Sequence, residues 1–131
     1  MNTEFPKNDS FLDFEGNERI FDYEVLDVNV GYSVSAIEKK ENGYQFSSFS
    51  ETSPFNALGD LRQKIRKRLS TRYLQEEHGR VHLYHDEAKG HISMGGVVID
   101  GQFFSFEELG SMIQTFEGFL FELKIKDLSN E

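Results

Sequence analysis

All four histidines fall between residues 78 and 91, and they are the side chains best suited to proton transfer or metal binding. His82-Leu83-Tyr84-His85-Asp86 lies in a segment that reads as a strand. Residues three apart on a strand point to opposite faces, so His82 and His85 chelate as a pair only if the strand bends. His85, Asp86 and His91 come together if the chain turns across residues 86–90, which makes them the candidate metal ligands of the His82–His91 region. Solvated turn histidines are the plainer alternative. Glu117, just before Gly118, is a candidate acid whose ordinary role is a paired carboxylate at a helix end. Glu107 and Glu108 suit the positive end of a helix dipole and need no further role. There is no cysteine, hence no thiol nucleophile or thiolate site. No P-loop, dinucleotide fingerprint, nucleophile elbow or zinc-protease motif is present. No catalytic residue and no cofactor is therefore assigned.

The second chemically loaded stretch is basic. Residues 62–72 hold six bases and no acid, whereas residues 1–61 hold twelve acids against four bases and residues 73–131 eleven against four. A basic helix can grip nucleic-acid phosphates. The net charge of −9 and the lack of interleaved aromatic residues disfavour that use and favour a basic partner. Lys64, Lys67 and Arg68 point away from the apolar stripe of their helix and form a candidate partner surface. Arg62 and Arg72 fall within the stripe's angular range, where they are expected to snorkel or to pair with carboxylates.

These residues need a scaffold, and the clearest part of it runs from Gly96 to Lys126. Val97–Ile99 is a short strand, and Asp100-Gly101 is the dipeptide of a two-residue hairpin with positive φ at both positions. Gln102–Phe104 returns alongside. Ser105-Phe106-Glu107-Glu108 has the form of a capping box. Phe106, Leu109, Met112, Ile113 and Phe116 then make one apolar stripe at helical spacing. After Glu117-Gly118, the residues Phe119, Phe121, Leu123 and Ile125 alternate with polar positions, as on a half-buried strand. The stripe and that strand are expected to pack together.

Upstream, residues 1–19 read as an acidic, partly ordered arm bearing Phe5, Phe11, Leu12 and Phe14. Residues 20–50 read as a three-stranded meander. Its first strand switches apolar parity between Val25 and Leu26, as at a bulge or a strand buried on both faces, and an Asn42-Gly43 turn joins the last two strands. Ser53-Pro54 starts a helix expected to reach about Leu74, with Phe55, Leu58, Leu61, Ile65, Leu69 and Tyr73 as its stripe. Residues 75–79 read as a loop, and residues 80–85 and 90–96 as strands. The expected fold is α+β, with mainly antiparallel sheets and two helices packed on one face, in the order βββα-ββββ-αβ. Residues 20–131 are expected to form a single domain, consistent with a chain of 131 residues. No run approaches the roughly 18 apolar residues of a membrane span, and no secretory signal is visible. A cytoplasmic address and no membrane association are expected.

The carboxy-terminal pattern resembles a group of small uncharacterised bacterial proteins that share an IDG turn, an S-x-E-E-L/F helix start and a T-[YF]-E-G element. Here these are Ile99-Asp100-Gly101, Ser105-Phe106-Glu107-Glu108-Leu109 and Thr115-Phe116-Glu117-Gly118. The resemblance implies a bacterial cytoplasmic protein of unknown function and supplies no catalytic residues. The expectation is a non-catalytic protein-interaction domain, immunity-, antitoxin- or adaptor-like, whose partner is another protein. Self-association into a homodimer, through the Phe-bearing arm or an unpaired sheet edge, is a further expectation. The alternatives are nucleic-acid binding through residues 62–72, and a small-ligand-binding protein or enzyme using the His82–His91 region.

Overall fold

The computed structural model describes residues 4–83 and 87–131. They divide into two compact units: one runs up to Thr71 and includes Ile125–Glu131, the other spans Arg72–Lys124. The sequence alone suggested one domain from residue 20.

In the first unit, β1 (Asn8–Leu12), β2 (Glu18–Val28), β3 (Gly31–Ile37) and β4 (Gln45–Ser50) form an antiparallel meander in that order. The stretch read as an acidic arm thus contains the edge strand β1, paired through Phe11↔Arg19 and Asp9↔Phe21. Register sets the inner face. Tyr23↔Ala36 and Val25↔Val34 on one side, and Val34↔Ser48 and Ala36↔Phe46 on the other, put these side chains on a common surface. Strand β2 runs in unbroken register to Val28 with no bulge. The parity change at Leu26 is instead an apolar side chain on the outer face, where Leu26 is exposed.

Helix α1 (Pro54–Ser70) covers the inner face. Ser53 caps it by accepting from the amide of Phe55 (3.0 Å), with Pro54 in the first turn. Ala57, Leu58, Leu61, Ile65 and Leu69 are buried, and most of them pack with Phe21, Val34, Ala36 and Phe46. The helix stops at Ser70 rather than near Leu74. Ser70 Oγ and Thr71 Oγ1 both donate to the carbonyl of Lys67 (3.0 and 2.9 Å), and such local hydroxyl bonds compete with helix continuation. A single 3-10 turn, Leu128–Asn130, lies against β4.

In the second unit, β5 (Leu74–Glu77) and β6 (Arg80–Leu83) form a hairpin, and β7 (Gly90–Ser93), β8 (Gly96–Ile99) and β9 (Gln102–Ser105) form an antiparallel meander. Asp100 and Gly101 take positive φ (52° and 77°), the geometry the Asp-Gly dipeptide specifies. His78 and Gly79 do the same (54° and 76°), so residues 75–79, read as a loop, are a strand end and a tight turn. The Asp100 carboxylate accepts from the amides of Tyr73 and Leu74 (both 2.8 Å), tying the hairpin to the start of β5. Helix α2 (Phe106–Gln114) carries the full capping box: Ser105 Oγ accepts from the Glu108 amide (3.1 Å) and Glu108 Oε1 from the Ser105 amide (2.9 Å).

Two expectations fail here. Residues 119–126 join no sheet, and Phe119, Phe121, Leu123 and Ile125 are exposed, Phe121 at 86%. Of the α2 stripe only Met112 is buried, while Phe106 and Ile113 are more than half exposed. Alternation makes a segment fit to be a strand, but a strand also needs a neighbour offering free backbone groups. Strands β7 and β9 are the edges of their sheet, yet among the described residues no backbone hydrogen bond joins residues 120–126 to either. The fold is α+β, with antiparallel sheets and two helices.

Candidate interaction surface

Polar chemistry in the first unit is concentrated at two clusters, and both are internally satisfied. In the first, the Arg19 guanidinium lies between two buried carboxylates. Its Nε donates to Asp13 Oδ2 (3.0 Å), its Nη1 reaches both oxygens of Glu38 (3.3 Å), and it lies over the Tyr44 ring (5.3 Å). Burial alone would raise Asp13, but amide donation from Asn17 and Glu15 and the bond to Arg19 outweigh it and hold the carboxyl below its usual range. In the second, Asp9 Oδ2 accepts from the Tyr23 hydroxyl (2.7 Å) and from Arg62 Nε (2.8 Å). Burial, then the Asp9 carboxylate, pushes the Tyr23 hydroxyl above its ordinary value. Among the described residues, no buried side-chain nitrogen or oxygen is left without a partner. These are arrangements that fix packing.

The basic run is largely absorbed by the same unit. Arg62 pairs with Asp9. Lys64 Nζ donates to the carbonyls of Ser47 (2.9 Å) and Ser129 (3.1 Å) and lies 3.6 Å from Asp60. Arg68 pairs with Glu131 and stacks over Phe46 (5.8 Å). The side chains of Lys64 and Arg68 are only 12% and 11% exposed. Lys64 stands three residues, about 60° round the helix, from the buried Leu61, and Arg68 the same from the buried Ile65, beside the buried positions and not opposite to them. Arg66 lies over the Phe11 ring, Arg72 Nε donates to the Leu74 carbonyl, and Lys67 is exposed. The structure therefore does not bring Lys64, Lys67 and Arg68 together as one open cationic face.

The histidines are dispersed. His78 and His82 each approach Glu77 at 3.6 Å, and His91 sits on β7 opposite Val98. His85 and Asp86 lie outside the described residues. Among those described, no three His, Asp or Glu side chains are gathered as a metal-binding group. Glu117 is exposed in the turn after α2.

The second unit also leaves large apolar side chains uncovered in two stretches. Phe106 and Ile113 are exposed on α2, and the run 119–123, in which Leu120 is fully exposed, follows the helix. An isolated exposed apolar residue is ordinary, whereas a contiguous stretch of large ones marks an interaction site. The signal in the sequence is the alternation of residues 119–125, which by itself fits a strand face buried in the chain's own core equally well.

The fold and this surface define a two-unit α+β protein, with one helix and its own antiparallel strands in each unit. Residues 3–70 match the model of the family described as Domain of unknown function (DUF7686), and the chain belongs to that family. Residues 66–130 match a second model, Domain of unknown function (DUF7713). The two matches overlap only at residues 66–70, beside the boundary between the units at Thr71. No curated protein and no solved structure matches the chain. Among the described residues no helix is long and apolar enough to cross a membrane.

Proposed function

We propose that the protein is a non-catalytic protein-interaction module of a bacterial cytoplasm, of the immunity, antitoxin or adaptor kind. The observation that carries this reading is the number of large apolar side chains the second unit leaves uncovered: Phe106 and Ile113 on α2, and Phe119, Leu120, Phe121 and Leu123 in the segment after it. Large aromatic and aliphatic side chains held in water are what a protein interface buries. The net charge of −9 supports a partner with a basic rim, since complementary charge speeds encounter. Engagement of Arg62, Lys64 and Arg68 within the chain weighs against nucleic-acid binding through residues 62–72. The test is affinity purification from the source cells with the wild-type chain and with Phe106→Asp/Ile113→Asp. A specific protein retained by the first and lost by the second, with unchanged circular dichroism, supports the reading. Absence of any specific partner, alongside turnover of a metabolite, rejects it.

A further inference from the structure

Resting on that reading, we infer that the occupant of residues 119–125 is a second copy of the same segment, paired with it antiparallel about Leu123. The segment Phe119-Leu120-Phe121-Glu122-Leu123-Lys124-Ile125 has the alternation of a half-buried strand, yet residues 120–126 make no backbone hydrogen bond among the described residues. Unpaired backbone beside exposed large apolar side chains is a template for another strand.

Charge selects the partner and the register. In an antiparallel pair, directly opposite residues project to the same face. With Leu123 opposite its own copy, Phe121 meets Ile125 in both directions on the apolar face, and Glu122 meets Lys124 in both directions on the other. Shifting the centre to Glu122 or Lys124 sets like charges face to face. A centre at Ile125 opposes Lys124 to Lys126, and a centre between residues mixes apolar with charged partners. A two-fold axis through Leu123 satisfies both faces across residues 121–125, the self-complementarity an isologous interface requires, and the pairing ends where Leu120 would meet Lys126. The ribbon's apolar face then receives the uncovered Phe106 and Ile113 of α2. This is the helix-on-strand packing that the sequence pattern specifies and a single copy leaves unmade. The four phenylalanines contributed by two copies of Phe119 and Phe121, at about 150–250 Å² each, supply much of the roughly 1,200 Å² of the smaller specific interfaces.

The experiment is sedimentation equilibrium of the full chain at low salt. Wild type is expected to be a dimer in the micromolar range, and Leu123→Asp, a change at an exposed position, a folded monomer. Glu122→Lys and Lys124→Glu should each raise the dimer dissociation constant about tenfold, because each turns two attractive pairs repulsive. Mixing these two variants, or combining them in one chain, restores the opposite-charge pairs and should restore dimerisation. A monomeric wild type, a dimer indifferent to Leu123→Asp, or failure of the charge swap to rescue overturns the inference. A monomer that still captures a different protein through Phe106 and Ile113 overturns it too, while leaving the interaction reading intact. A dimer that also turns over a substrate rejects that reading and leaves the pairing standing.

Discussion

The two helices begin from equally good local signals and end in different burial. Ser53 caps α1 and Ser105 caps α2, the latter with the reciprocal Glu108 bond as well. Yet α1, laden with arginine and lysine, buries five side chains, whereas α2, the more apolar of the two, buries only Met112. Caps decide where a helix starts; the surface offered to it decides how much it buries. The first unit offers α1 a four-stranded sheet whose inner face presents Phe21, Val34, Ala36 and Phe46. The second offers α2 a smaller cluster built on Tyr73, Leu74, Ile99 and Phe104.

If that contrast is sound, the largest effect belongs to the core under α1. Phe46→Ala, at a fully buried site touching Phe21 and Tyr44, should cost about 4 kcal/mol in denaturant unfolding of the first unit. Next comes Arg19→Ala, which strands two buried carboxylates and should cost about 3 kcal/mol. The same network carries a pH signature. Because the folded state lowers Asp13 below its ordinary 3.8, its stabilisation is fully present above that value. It is lost as pH falls from there through the lower folded value. Asp13→Asn should remove this part of the acid sensitivity, and acid titration of stability checks it.

A smaller effect is expected in the second unit. Ser105→Ala removes one half of the capping box and should cost about 1 kcal/mol, seen as faster amide exchange in α2 with α1 unaffected. The smallest is Met94→Ala, at a side chain 95% exposed, which should change stability by less than about 0.5 kcal/mol. A large effect there would mean that the exposed side of the second unit is covered, and would break the comparison.

Much of the fold was legible where a local rule has a single outcome. Asp100-Gly101, the Ser105 capping box and the Ser53-Pro54 start each prescribe backbone geometry within a few residues, and each stands as read. The His78-Gly79 turn was missed because histidine seldom takes positive φ, so the dipeptide lacks the Asn-Gly or Asp-Gly mark. The edge strand β1 is hidden because Asn8–Leu12 opens with three polar residues and closes with the adjacent apolar pair Phe11-Leu12, so neither of its faces shows alternation. The candidate surface was visible as Phe119, Phe121, Leu123 and Ile125, but alternation does not say which partner covers it.

Taken alone, the residue order determined an α+β chain with its turns, its helix starts and an alternating carboxy-terminal segment, because those follow from sterics and hydrogen bonds among near neighbours. The tertiary structure decided that Lys64 and Arg68 turn inward against Ser47, Ser129 and Glu131. It also decided that α2 remains half uncovered and that residues 119–125 stay outside every sheet. Those outcomes depend on which distant surfaces meet, and burial is a property of the pair of surfaces, never of one segment.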